Sequence, residues 1–289
     1  MRFAVVAERL SPTNVGLMSA SPTGYEGLLL PPEQALRRLR PGDLALGRLD
    51  VKPGLDGVED GLWALELLAD AGVRVLNRPS ALLCAHDKLL TARVLAGAGL
   101  PHPATRLVHR IGDAAGLRYP LVLKPRFGSW GRDVVRCSGP EELRSTLDAF
   151  AARPWRRAGA VAQELVPPLG YDVRVIVAGG RVVGSIERHA APGEWRTNVA
   201  LGGSRVQAPL DPAAAEHALA AAAAVGGDLV GVDLLPLHDG GFVVIEVNGA
   251  VDFSSEYRSE GSIYAAALSA LVARADASTG QAFGLPMPA

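Results

Sequence analysis

The stretch GVDLLPLHDGGFVVIEVNGAVDF, Gly231 to Phe253, decides how this chain is read. Its apolar residues Val232, Leu234, Leu235, Phe242, Val243, Val244, Ile245 and Val247 suit two strands buried on both faces. Between them, His238-Asp-Gly-Gly241 supplies turn chemistry, and Asp-Gly is a strong hairpin signal. A turn centred on Asp239-Gly240 sets Asp233 directly opposite Glu246, and side-chain alternation puts Asn248 on the face of Glu246. Opposed residues in an antiparallel pair have Cβ atoms roughly 4.5–5.5 Å apart. Two carboxylates that close in an apolar setting repel and lose hydration, so a shared proton, a lysine or arginine, or a divalent cation must compensate. Oxygen donors suit Mg²⁺ or Mn²⁺. Because Mg²⁺ usually completes its shell with substrate phosphates, the hairpin directs attention to a phosphate site elsewhere in the chain.

The chain has 289 residues, of which 48% are hydrophobic and 20% charged, with a formal net charge of -1. That balance gives no general electrostatic pull toward nucleic acid or membrane. Only Cys84 and Cys137 are present, which favours a reduced cytoplasmic setting over a disulfide scaffold. The start of the chain reads as no signal peptide, because Glu8 and Arg9 interrupt its apolar run. The Ala-rich segment Ala213–Val225 is interrupted by Glu216 and His217 and reads as a packed helix behind Asp211, not a membrane span.

Toward the N-terminus, strand and helix patterns alternate. Phe3–Ala7, Leu44–Leu46 and Val73–Leu76 read as strands, and Pro31–Arg40 and Gly57–Ala71 as helices. Ser11–Gly24 reads as loop. This alternation suggests a small α/β domain over residues 1–79. Ser80–Ala98 reads as one helix capped by Ser80. Leu121–Lys124 and Asp133–Cys137 are strands flanking a glycine loop, Phe127–Arg132. Ser138 and Glu141 resemble a capping box for a helix to Phe150. Ala160–Leu165 is a strand, Tyr171–His189 a hairpin about Gly179-Gly180, and Ile263–Ala273 a closing helix. That second hairpin places Asp172 and Arg174 on one face with Ser185 and Glu187. Arg188 then points the other way unless a bulge intervenes.

A strand ending in Lys124, followed by Gly128 and Gly131, is a workable phosphate cover, since glycine backbone N–H groups can approach phosphate oxygens. It matches neither a Walker loop nor a Rossmann fingerprint. Order along the chain adds specificity: HDKLLTARVLAGAGLPHPAT, PLVLKPRFGSWGRDVV, VAQELV, YDVRVIVAGGRVVGSIERHAAPGEWRTNVALGG, and then the carboxylate hairpin. This succession resembles the ATP-grasp ligases, and within them the RimK/LysX group of carboxylate–amine ligases, over roughly Asn77 to Ala273.

The resemblance implies an ATP-grasp fold of α+β subdomains behind a pre-ATP-grasp domain. The ATP-grasp domain would span 80–275, with a lid at about 104–163 and a flexible tail at 276–289. It implies that Lys88 and Lys124 hold nucleotide phosphates and that the loop with Gly128, Ser129, Trp130 and Gly131 covers them. Gln163, Glu164 and Leu165 would recognise adenine, and Asp172, Arg196 and Asn198 would stand in the nucleotide site. Arg174 and Arg188 would act at the transferred phosphate, and Asp233, Glu246 and Asn248 would hold two Mg²⁺ or Mn²⁺ ions. The implied reaction activates a carboxylate as an acyl phosphate, which an amine then attacks, joining an amino acid of glutamate or α-aminoadipate type to a carrier protein or small molecule. A small acidic carrier protein and a homo-oligomer are the implied partners. Leu201 stands where RimK- and LysX-like chains commonly have arginine. This departure gives weight to a nucleotide-binding module without ligase activity; a ligase of free amino acids, of dipeptide type, is a further alternative. No histidine shows metal-ligand spacing, and Tyr257, Arg258 and Glu260, which follow the metal strand, read as the surface of a helix start or as contacts to substrate.

Overall fold

The computed structural model describes residues 1–281, and its three sheets are placed by the apolar runs in the sequence. The first is parallel, in the order β2-β1-β3-β4. It is built from β1 (Arg2–Val6), α1 (Pro12–Ser19), β2 (Glu26–Leu30), α2 (Pro32–Arg38), β3 (Leu44–Gly47), α3 (Leu62–Asp70) and β4 (Arg74–Leu76). Phe3, Ala4, Val5 and Val6 are fully buried, as expected for a parallel strand covered on both faces. The loop expected over Ser11–Gly24 is corrected here. Ser11 accepts from the Asn14 backbone N–H and caps α1, while the weak apolar periodicity of PTNVGLMS hid the helix. Strand β2 also escaped the sequence reading. Helix α3 starts only at Leu62, after Gly61 at φ 113°.

The helix expected over Ser80–Ala98 is two helices, α4 (Pro79–His86) and α5 (Lys88–Gly97), broken at Asp87. Ser80 caps nothing. Asp87 instead has extended backbone and accepts from the Leu89 and Leu90 N–H groups, which caps α5. Arg126 grips the same carboxylate. The apolar pattern runs through the break, so periodicity alone cannot reveal it.

The second sheet is antiparallel, in the order β5-β8-β6-β7. Its strands are β5 (Thr105–Val108), β6 (Leu121–Pro125), β7 (Val135–Cys137) and β8 (Ala160–Glu164), with α6 (Pro140–Ala149) between β7 and β8. The N-cap of α6 is Gly139, not Ser138; Glu142 reaches back to the Ser138 N–H at 2.6 Å.

The third sheet runs β11-β10-β9-β12-β13. It comprises β9 (Tyr171–Ala178), β10 (Arg181–His189), β11 (Ser204–Val206), β12 (Leu229–Pro236) and β13 (Phe242–Asn248), with α7 (Pro212–Val225) and α8 (Ile263–Gln281). Alanines 214, 218, 221 and 222 of α7 pack on the valines of β9, β12 and β13. Helix α8 packs on β9 and β10 and joins their core to Phe3, Val5 and Leu44 of the first sheet. It continues to Gln281, past Ala273 where the sequence reading ends it; the expected tail beyond Gln281 lies outside the described residues. Among the described residues, no helix is long and apolar enough to cross a membrane.

Candidate active site

Asp233 does pair with Glu246, but for a reason the sequence conceals. Next to the turn the register is Leu234↔Val244 and Pro236↔Phe242, one residue off the expected centre. A bulge at Ile245 then shifts β13 and restores the pairing of the two carboxylates. Without the bulge, Asp233 would lie opposite an isoleucine. A second bulge acts in β10. Val182 pairs with Val177 but Gly184 pairs with Ile176, so Val183 is the extra residue and Arg188 lies opposite Asp172. The expected face shared by Asp172, Arg174, Ser185 and Glu187 is corrected: Arg188 joins Asp172 and Arg174, and Ser185 and Glu187 turn away.

These registers assemble a buried charge cluster. Arg174 forks onto Asp233 through Nε and Nη2, both at 2.7 Å. Arg188 forks onto Asp172 and reaches Asp233 Oδ2 at 2.9 Å. Thr197 donates its hydroxyl to Asp172. Burial alone would raise the Asp233 carboxyl, but Arg174 and Arg188 outweigh it and hold it well below the usual carboxylate range. Burial opposes charge on Arg188 too, and Asp233 and Asp172 overcome it, keeping the guanidinium protonated. Planar forks suit this role because each carboxylate oxygen faces its own N–H.

The two lysines come from different units and converge on this hairpin. Lys88, the first residue of α5, donates to Glu246 Oε1 at 2.6 Å and to the Gly128 carbonyl at 2.9 Å. Lys124 of β6 donates to Gln163 Oε1 at 2.7 Å. Burial pushes the Lys124 ammonium down to about 8, with Lys88 adding repulsion and Glu246 partly opposing. Gln163 is fixed in turn by Thr105 and by His102. Burial depresses His102 to about 4, and its Nδ1 lies 2.8 Å from the Val244 carbonyl. The neutral ring therefore donates from Nδ1 and accepts from the Gln163 amide at Nε2. Sequence reasoning missed His102. Its signal is its place in the Pro-His-Pro turn after α5, which no metal-spacing search detects.

The glycine loop is tied from both sides. Lys88 holds Gly128, and Arg196 Nη1 lies 3.2 Å from the Gly131 carbonyl and 3.3 Å from that of Val134. Arg196 is itself clasped by Glu194, whose carboxyl it lowers to about 2, helped by the backbone N–H groups of Arg196 and Trp195. Gly131, at φ 70°, faces Asn198: a Cβ there would fall 2.7 Å from Asn198 Oδ1. Trp130 is 54% exposed at the loop tip.

One cavity of about 500 Å³ is lined by every residue proposed from the sequence: Lys88, Lys124, Gly128, Ser129, Trp130, Gly131, Gln163, Glu164, Leu165, Asp172, Arg174, Arg188, Arg196, Asn198, Asp233, Glu246 and Asn248. Their contacts differ from the expected ones in two places. Glu164 turns its carboxylate onto Arg118 at 2.8 Å, and the Leu165 N–H is already given to the Pro120 carbonyl. Tyr257, in a short 3₁₀ turn, is buried against the cavity rather than forming a helix-start surface.

The donor set fits a hard divalent cation. Asp233 Oδ2 is taken by Arg174, Arg188 and, weakly, the Asn248 amide, while its Oδ1 accepts only from Arg174 Nε; Glu246 Oε1 accepts from Lys88, and the Asn248 amide oxygen meets no donor among the described residues. Each side chain keeps oxygen lone pairs. Among the described residues, no three His, Cys, Asp or Glu side chains form a complete cage. Two carboxylates and an amide oxygen suit Mg²⁺, which takes one or two carboxylates and fills its shell with phosphate and water.

Residues 85–270 match the RimK-like ATP-grasp domain. The chain is 34% identical over 203 residues to beta-citrylglutamate synthase B of Danio rerio, covering 68% of this chain and 49% of that protein. It is 32% identical over 227 residues to the glutamate–LysW ligase ArgX of Sulfurisphaera tokodaii, covering 74% of this chain and 78% of that one. It thus spans about half the length of the first relative and over three quarters of the second. In fold it is similar to a RimK domain ATP-grasp protein from Sphaerobacter thermophilus. The TM-score is 0.70 at 23% identity, covering 94% of this chain and 99% of that one.

Proposed function

The chain belongs to the RimK-like ATP-grasp family, and from that premise we propose that it is an ATP-dependent carboxylate–amine ligase acting through an acyl phosphate. The observation that carries this reading is the convergence of Lys88 and Lys124 with the Asp233–Glu246–Asn248 hairpin on one arginine-walled cavity. ATP-grasp ligases in general use ATP and divalent metal ions. Here Asp233, Glu246 and Asn248 would hold two Mg²⁺ or Mn²⁺ ions, which when bound offset charge on the β- and γ-phosphates. Residues 1–79 serve as the pre-ATP-grasp domain and 80–275 as the ATP-grasp domain, with 104–163 as its lid.

The chain's own residues position the reactants and neutralise charge. Lys88 and Lys124 face the phosphates, and Gly128 to Gly131 cover them. Gln163 orients Lys124, and the Gln163–Leu165 strand end borders the adenine. Asp172 holds Arg188 at the wall, and Arg196 and Asn198 hold the loop over the phosphates. An oxygen of the substrate carboxylate attacks the γ-phosphorus, and the bond to the bridging oxygen breaks, its electron pair leaving with ADP. Arg174 and Arg188 stabilise the charge that develops there. The amine nitrogen then attacks the acyl carbon, and the carbon–oxygen bond to phosphate breaks. Inorganic phosphate departs with that pair, and the nitrogen loses its proton.

The amine comes from an amino acid, of glutamate or α-aminoadipate type in keeping with the named relatives. The carboxylate belongs to a carrier protein or a small molecule. A small acidic carrier, self-association and a cytoplasmic setting complete this reading, the last supported by two free cysteines. The test is phosphate release from Mg·ATP across a panel of amino acids and carboxylate acceptors. Release should require both partners and disappear in Glu246→Gln. Tight nucleotide binding with no release under any pair would instead favour a nucleotide-binding module.

A further inference from the structure

Seven cationic or basic side chains line the cavity, and their partners separate them: His86, Lys88, Lys124, Arg174, Arg188, Arg196 and Arg205. Six are spoken for. The buried His86 ring meets the Leu49 carbonyl, Lys88 and Lys124 serve the phosphate end, Arg174 and Arg188 are locked to Asp233 and Asp172, and Arg196 ties down the loop. Arg205 differs. Among the described residues its one ion-pair contact is to Glu256 at 3.1 Å, with the two side chains 39% and 57% exposed. Exposed pairs of this kind contribute little, so the contact exchanges readily.

Its position is specific. Arg205 on β11 lies directly opposite Arg188 on β10, so both project from the same face. Opposed Cβ atoms sit about 4.5–5.5 Å apart, and like charges so placed repel unless an anion relieves them. Among the described residues Arg188 has two buried carboxylates, whereas Arg205 has only the surface Glu256. An α-amino acid whose amine reaches an acyl carbon beside Arg188 carries its α-carboxylate one carbon away, within reach of the neighbouring strand. Leu201 offers no charge to compete; it lies against Gly131 of the glycine loop.

We propose that Arg205 is the anchor for the α-carboxylate of the amine-donating amino acid, exchanging Glu256 for the substrate when it binds. This rests on the ligase reading above and adds the subsite that orients the amine. The guanidinium fork matches a carboxylate in two parallel hydrogen bonds, which fixes the amine's direction as well as its affinity.

The test is calorimetric titration of the full chain, loaded with Mg·AMPPNP, using L-glutamate, L-glutamine and L-isoglutamine. Glutamine keeps the α-carboxylate and isoglutamine lacks it. Glutamate and glutamine are expected to bind, and isoglutamine about tenfold or more weaker. Arg205→Ala should weaken glutamate by a similar factor and leave the AMPPNP affinity unchanged. Arg205→Lys should recover part of the loss. Glu256→Gln should tighten glutamate binding, because it removes the competing carboxylate. A purely structural pair would instead make the Arg205 and Glu256 variants change in the same direction. That result overturns the proposal, as would isoglutamine binding as well as glutamate, an unaffected Arg205→Ala, or no binding of any of the three amino acids. If the unaltered protein does not bind Mg·AMPPNP, the ligase reading itself falls and takes the subsite with it.

Discussion

With Lys124 at the nucleotide phosphates, as proposed, nucleotide affinity should depend on pH in a way that can be worked out from its surroundings. Burial holds its ammonium at about 8 in the free protein, and Lys88 adds to the effect. A lysine titrating there is about 90% charged at pH 7 and about 10% charged at pH 9. If the charged form is the one that grips phosphate, Mg·AMPPNP affinity should fall about tenfold across that interval, or about 1.4 kcal/mol. The nucleotide phosphates are already ionised over the same range, so they do not produce this slope. Binding should also take up protons near pH 8, because phosphate oxygens favour the ammonium. Titrations in buffers of different ionisation enthalpy read that uptake directly. Lys124→Met should bind more weakly at pH 7 and lose the slope. A flat affinity from pH 7 to 9.5 in the unaltered protein, or a slope that survives in Lys124→Met, would refute the reasoning. The linkage has the opposite sign for stability. Between about 8 and the ordinary 10.5 the unfolded chain binds more protons, so the free protein should gain stability as pH rises through that window. Below about 8 the penalty is complete, at about 3 kcal/mol.

His102 should act in the same sense at lower pH: held at about 4, it removes stability as pH falls from its ordinary 6.5 through 4, visible as an acid-side fall in melting temperature that His102→Asn abolishes. Asp172→Ala leaves Arg188 buried with only Asp233 and should cost about 3–5 kcal/mol in denaturant unfolding. A loss under 1 kcal/mol would mean that Arg188 finds water. Gly184→Ala puts a Cβ 2.6 Å from the Tyr257 carbonyl and 2.7 Å from Ile263 Cδ1. It should destabilise by about 1–3 kcal/mol and disturb the cavity wall, read as reduced melting temperature together with weakened nucleotide binding.

Much of this protein can be read from local chemistry. The apolar runs of β1, β6, β9, β12 and β13 announce themselves because strands buried on both faces need no alternation. The cap at Asp211 and the turn at Gly179-Gly180 are equally local, since each follows from what one or two residues allow the backbone to do, whereas the turn about Asp239 is placed locally but its register is not. Gly179 shows where local logic stops: at φ 54° it suits a turn, but a Cβ there would fall 2.2 Å from the Ala270 carbonyl of α8, a demand made by a distant helix.

The sequence by itself determined which residues could serve a phosphate site and in what order they occur: two lysines, a glycine loop, and two carboxylates beside an asparagine. Tertiary structure decided how they face one another. The break at Asp87, whose carboxylate caps α5 and also holds Arg126 nearly forty residues away, leaves no trace in helical periodicity. The bulges at Val183 and Ile245 each move one strand by a residue, and a one-residue shift turns every side chain to the other face. Such shifts are settled by side-chain fit across three neighbouring strands, and that information lies in no single segment of the chain. The pairing of Arg188 with Asp172, and of Asp233 with Glu246, therefore belongs to the assembled sheet.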